Sequence, residues 1–207
     1  YLPIPNRLYK KNRKKFMAQM KPESLAVFNS NDVYPIGADS TMPFEQHRDI
    51  FYLSGVDQEE SIVLLFPDAL NPTHREILFV RETNEHIAVW EGAKLTKEQA
   101  TEVSGIATVY WTHQFDQVLF DLMSEASTIY LNTNEHYRQA VETQTREDRF
   151  IERVKSKFPA HQTAKSFPIL NEIRGVKEQE EIQLIHQACA ITEKGFRRIL
   201  KFVEPEV

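Results

Sequence analysis

"IATVYWTHQFDQVLFDLMSEASTIYLNT", Ile106 to Thr133, changes its periodicity twice in one short stretch. Val109, Tyr110 and Trp111 favour a pleated surface, so the stretch opens as a strand. Phe115, Val118, Leu119, Leu122 and Met123 then fall on one side of a 3.6-residue repeat, which predicts a helix with a single apolar face. "STIYLNT" returns to a strand. A strand, a helix and a strand in succession place two parallel neighbours beside one another through a crossover. The fold class read from this alternation is α/β, a mixed β-sheet flanked by helices.

The segments upstream extend that sheet. "SLAVFNS" (Ser24 to Ser30) is a short apolar run, followed by the turn-rich "NDVYPIGADSTMP". "SIVLLFP" and "REILFV" are apolar runs separated by the turn segment "DALNPTH", which predicts an antiparallel hairpin. "LTKEQATEVSG" sets Thr96 three residues before Gln99 and ends on Gly105, a capping box and a stop for a short helix. "HRDIFYLSG" (His47 to Gly55) reads as a strand through Ile50, Phe51, Tyr52 and Leu53, with Gly55 at the bend. A charged helix is predicted from about Glu135 to Phe158, carrying Val141, Phe150, Ile151 and Val154.

Composition narrows the function classes. The 207 residues are 41% hydrophobic, enough for one full core and a remainder. The net charge of −5 supplies no general attraction for nucleic acid, and no nucleic-acid partner is expected. Arg7, Lys10, Lys11, Arg13, Lys14 and Lys15 alternate with Leu8, Phe16, Met17 and Met20, as on the solvated face of an amphipathic helix. No apolar run reaches the roughly 18 residues that cross a bilayer, so no membrane partner is expected. The single cysteine, Cys189, has no partner for an intrachain disulfide and suits a reducing, cytoplasmic setting.

Near Pro168 the pattern breaks. A connecting segment to Gly175 precedes a long helix from about Lys177 to Lys201 that carries Ile182, Ile185, Cys189, Phe196 and Ile199. Residues 1–167 are therefore read as one domain and 168–207 as a linker with the first helix of a second. The alternative is a terminal helix docked back on the first domain.

Chemistry is sparse. The seven histidines are scattered, with no His-Glu-x-x-His and no Cys or His pair at ligand spacing. There is no Gly-x-Ser-x-Gly elbow, and the six glycines form no phosphate loop. Glu59-Glu60 and Glu180-Glu181 suit solvated positions. No catalytic residue and no metal ligand are assigned in this chain.

Three motifs carry a family resemblance. "RDIFYLSG" resembles the Arg-Asp-x-x-Tyr-x-Thr/Ser-Gly signature of the amino-terminal domain of aminopeptidase P, in the creatinase and prolidase superfamily. Arg48, Asp49, Tyr52 and Gly55 fill its positions. "VWEGAKL" resembles the later Trp-x-Gly-Arg/Lys segment through Trp90 and Gly92. "NEIRGVKEQEEIQLIHQACAITEKGF" resembles the helix that leads into the catalytic pita-bread domain. The order matches, over about Asn6 to Glu206. The sequence departs at Met42-Pro43, where many members carry an aromatic-Arg pair.

The resemblance implies a noncatalytic domain of a metal-dependent Xaa-Pro aminopeptidase that aids oligomerisation and restricts substrate access. Its implied substrate is a peptide with proline at the second position. Its implied cofactor is a pair of manganese ions held by the absent catalytic domain, and its implied partner is another copy, as a dimer or tetramer. Arg48 and Asp49 are read either as pins for the end of a strand or as part of the active-site rim. The residues alone put Trp90 in a loop folded onto its own domain. The resemblance implies instead that Trp90 reaches the substrate cleft of an adjacent subunit. A peptide- or protein-binding module of creatinase-like fold is the alternative function.

Overall fold

The computed structural model describes residues 4–133, 135 and 142–204. Its centre is a six-stranded sheet of β1 (Ser24–Asn29), β2 (Ile62–Leu65), β3 (Glu76–Val80), β4 (Thr108–Trp111), β5 (Thr128–Leu131) and β6 (Gln162–Lys165), ordered β4-β3-β2-β1-β5-β6. β2 is antiparallel to both β1 and β3, whereas β3/β4, β1/β5 and β5/β6 pair in parallel. Five strands thus point one way and only β2 runs back. The predicted hairpin is β2–β3, with Ile62 opposite Phe79 and Leu64 opposite Ile77.

The central strands are covered on both sides, which is why they read as unbroken apolar runs. Leu25, Val27, Leu64, Phe79, Ile129 and Leu131 face one core, closed by α5 (Phe115–Met123) and α6 (Arg146–Lys157). Ala26, Phe28, Val63, Leu65, Leu78 and Val80 face the other. That core is filled by Phe16 of α1 (Asn6–Met17), Ile50 and Leu53 of α2 (Arg48–Ser54), Ala100 of α4 (Lys97–Ser104) and Ile169 of α7 (Phe167–Gly175). Phe16 meets Phe28 edge-to-face at 5.2 Å between ring centres.

Several local expectations are corrected. "HRDIFYLSG" is the helix α2, not a strand. The His47 ring accepts from the Asp49 N–H at 3.3 Å to cap its start, and Gly55, at φ 71°, ends it by donating to Phe51 O at 2.8 Å. Ile50 and Leu53, three apart, then share the buried side, and packing overrides the β preference of the individual residues. Trp90 lies not in a loop but on the helix α3 (Glu85–Glu91), capped by Asn84. The charged helix begins only at Arg146, where Thr145 and Asp148 form a capping box; Val141 lies outside the described residues. α7 occupies what reads as a connector, and β6 forms where no element is predicted, because the exposed edge strand Gln162–Lys165 has no apolar alternation to announce it.

Arg7, Lys10, Lys11 and Lys14 lie on the exposed face expected of α1, and Arg13 is the exception. Its side chain has no exposed surface, and its guanidinium donates to Leu53 O at 2.8 Å, Ser104 O at 3.0 Å and Glu76 Oε2 at 2.9 Å. Leu53 and Ser104 end α2 and α4, which close alike: Ser54 and Ser104 bond back to Ile50 O and Ala100 O, and Gly55 and Gly105 follow in the left-handed region. A Cβ on Gly55 would overlap the Tyr9 ring of α1.

The chain divides into two compact units, residues 1–173 and 174–207. The second is built on the long helix α8 (Gln179–Phe202), started by a Glu178/Glu181 capping box. On this helix Ile185 is 49% exposed and Phe196 63%.

Removing the Arg13 guanidinium leaves two helix ends and the Glu76 carboxylate without their shared partner. Arg13→Ala is expected to lower unfolding free energy by about 3–5 kcal/mol in urea titrations, the usual result of breaking a buried pair. Gly55→Ala forces a side chain into both positive φ and the Tyr9 ring, and a fall of on the order of 1–3 kcal/mol is expected by the same measurement.

Candidate functional site

Because five strands share a direction, their carboxyl ends gather at one edge of the sheet, the edge where α/β folds place ligands. The segments that leave it hold α3, the start of α2 and the start of α6. Asn29 and Asn132 each follow an apolar run there, one closing β1 and one just past β5, and both are buried.

A polar cluster is built between them. Glu147, in the first turn of α6, is 7% exposed and accepts from Asn29 twice: from its backbone N–H at 2.8 Å and from its side-chain amide at 2.9 Å. Burial pushes the Glu147 carboxyl up to about 8, against the opposing pull of the Asn29 bonds and of Arg146; Asp49 adds to the rise. Arg146 donates to Ser30 Oγ at 3.3 Å, and burial lowers its guanidinium from its ordinary value while Glu60 and Asp32 oppose that change. Asp49 accepts from the Asn132 amide at 3.2 Å. A cavity of about 560 Å³ opens over the cluster, lined by Tyr34, Met42, His47, Asn132, Arg146 and Glu147 among others.

The residues singled out in the sequence are dispersed. Arg48 is exposed at the start of α2, and Asp49, half-buried beside it, faces Asn132 and His47. Tyr52 points elsewhere: its hydroxyl donates to Ile173 O at 3.3 Å, and its carbonyl accepts from Asn12 at 2.9 Å. Gly55 closes α2 at its far end. Gly92, at φ 78°, ends α3 with open space around it, and Trp90 on that helix is 81% exposed. Lys94 and Glu59 form an ion pair just past α3, and Leu95 N–H donates to Gln58 at 2.7 Å. Sequence reasoning does not single out Glu147 or Asn132. The Thr145-x-x-Asp148 pattern marks a helix start, and "VFN" and "YLN" repeat at two strand ends, but neither pattern reveals burial.

These features define a helix-flanked mixed-sheet domain whose polar edge is built from the segments that follow its parallel strands. The chain belongs to the family described as "Aminopeptidase P, N-terminal domain", whose model matches residues 9–130. It is 24% identical over 204 residues to the Xaa-Pro aminopeptidase of Escherichia coli K12, covering 98% of this chain and 46% of that protein. Its fold is similar to that of a Bacillus anthracis protein described as a candidate aminopeptidase P, with a TM-score of 0.85 at 23% identity over 96% of this chain and 47% of the other. It is likewise similar to zinc-substituted Escherichia coli aminopeptidase P in complex with product, at a TM-score of 0.79 and 23% identity, over 100% of this chain and 47% of that one. The chain spans about half the length of the relatives it matches.

Among the described residues no three His, Cys, Asp or Glu side chains converge to hold a metal ion, so none of them fits the pair of manganese ions that the resemblance implies. No described helix is long and apolar enough to cross a membrane.

The Glu147 carboxyl yields a pH prediction. A carboxyl raised from 4.5 to about 8 keeps its proton in the folded state after the unfolded chain has released it. Its contribution is therefore complete below the unfolded value and is lost as pH rises through the folded one. Between pH 5 and pH 8 the unfolding free energy should fall by at most about 1.4 kcal/mol per pH unit from this group. Glu147→Gln should flatten that slope in parallel urea titrations; equal slopes would remove the assignment.

Proposed function

We propose that this chain is the noncatalytic amino-terminal portion of a metal-dependent Xaa-Pro aminopeptidase, an enzyme that removes an N-terminal residue preceding proline. In this reading the catalytic work, including the pair of manganese ions, belongs to a further domain, and α8 is that domain's first helix. The amino-terminal domain aids assembly into a dimer or tetramer in the cytoplasm and restricts which peptides reach the catalytic centre. Arg48 and Asp49 then serve to pin the segment that enters α2, with Asp49 accepting from the Asn132 amide.

The observation that supports this most directly is Trp90. An indole left 81% exposed on a short helix is poorly explained by its own domain, which covers little of it. Its broad apolar face suits a proline ring, and few rotatable bonds limit the entropy lost on contact. Asn84 and Gly92 fix the two ends of the helix that presents it.

In the complete enzyme, Trp90→Ala should lower kcat/KM on short Xaa-Pro peptides about tenfold, equivalent to about 1.4 kcal/mol, mainly through KM. Metal content and thermal stability should hold, since the side chain contributes to neither. Unchanged kinetics with the fold intact would separate Trp90 from the substrate and weaken the access role.

A further inference from the structure

We propose that Lys94 is a positioning residue for Trp90: by closing onto Glu59 it fixes where helix α3 presents the indole. The inference rests on the reading of Trp90 as a substrate contact and adds the group that holds it there. The side chains of α3 do not seat the helix themselves. Among those described none is fully buried; Ile87 and Ala88 are half-covered, and His86, Val89 and Trp90 are exposed. A helix with no apolar face in a core takes its position from what ties its ends. Asn84 caps its start, so its far end depends on the chain just past Gly92.

Two adjacent residues make the tie. Lys94 Nζ pairs with the Glu59 carboxylate, the two side chains being only 16% and 15% exposed, and the Leu95 N–H donates to Oε1 of the buried Gln58 at 2.7 Å. The receiving loop, between α2 and β2, is itself held. Gln46 Nε2 reaches Val56 O at 3.0 Å, Gln58 O at 2.9 Å and Ser61 Oγ at 3.0 Å, and Ser61 Oγ donates to Gln58 O at 2.7 Å. Glu60 sits at φ 57°, in the left-handed region, and a non-glycine residue stays there only where its surroundings over-determine the turn. The loop is therefore a fixed anchor. Glu60 pairs with Arg81 at 3.6 Å, which leaves Glu59 to Lys94. Burial raises the Glu59 carboxyl, but its bonds to Lys94 and the backbone and the charges of Lys94 and Arg81 reverse that and leave it below its ordinary value. The pair is ionic, poorly screened by water and only four residues past Trp90.

Lys94→Met keeps most of the stem and removes the charge. In the ¹⁵N-labelled chain, backbone order parameters of α3 are expected to fall from about 0.85 to below about 0.6 while those of the sheet hold. Lys94→Arg should restore them. Should Lys94→Met fail to fold, Glu59→Gln, which keeps the shape and drops the charge, should loosen the same residues. In the complete enzyme, Lys94→Met should raise KM on short Xaa-Pro peptides severalfold with kcat held, and should add nothing in a Trp90→Ala background, because the tie has nothing to position once the indole is gone. Unaltered order parameters in the folded variants, or an equal loss of kcat/KM with and without Trp90, would overturn the proposal. A loosened α3 with KM unchanged in both Lys94→Met and Trp90→Ala would uphold Lys94 as the tie and remove the substrate role of Trp90 instead.

Discussion

The guanidinium of Arg13 sits where four elements meet. It joins α1 to the carboxyl ends of α2 and α4 and to Glu76 on β3, with no part of its side chain in water. A cation at two helix C-termini is favoured by the unpaired carbonyls and by both dipoles, which offsets part of the cost of removing it from solvent. Burial still lowers its proton affinity, while Glu76 pulls the other way. The neighbouring turns are shaped to admit it. Ser-Gly closes both helices, and the absent Cβ atoms at Gly55 and Gly105 leave room for Tyr9 and Lys10 of the same helix. The second core therefore depends on α1 being seated, which Arg13 achieves together with the packing of Phe16 and the Asn12 bond to Tyr52 O.

The sheet supplies the complementary constraint. Reversing only β2 leaves five strands with a common direction, so the segments after β1, β3, β4, β5 and β6 all emerge at one edge. Polar residues at strand ends then meet without being near in sequence: Asn29 with Glu147, and Asn132 with Asp49. The opposite edge, where α2 and α4 end, is given over to the Arg13 junction. One edge carries the buried polar cluster and its cavity, and the other carries an interlock that holds the layers together.

Much of the architecture is legible in the sequence because local and global preferences agree. The run from Ile106 to Thr133 declares strand, helix and strand through periodicity, and each forms where the pattern places it. Thr96 and Gln99 form the predicted capping box. "HRDIFYLSG" misleads because Ile50, Phe51 and Tyr52 favour strands individually, whereas a His cap, a terminal glycine and the i, i+3 pair Ile50 and Leu53 impose a helix. β6 is hidden for the opposite reason. As a solvated edge it is stabilised by backbone pairing to β5, which leaves no mark on side-chain type.

The sequence by itself determined the α/β class, the hairpin, the cores' strands and the family motifs, since these rest on periodicity and short-range chemistry. Only the tertiary structure decided which charges are buried. Arg13 lies in a run of basic residues with the same local pattern, and Glu147 lies in an ordinary acidic first turn. Their burial follows from elements distant in the chain, Glu76 and Ser104 for one and Asn29 for the other. Desolvation depends on what surrounds a group in space, and no local pattern of residues encodes that.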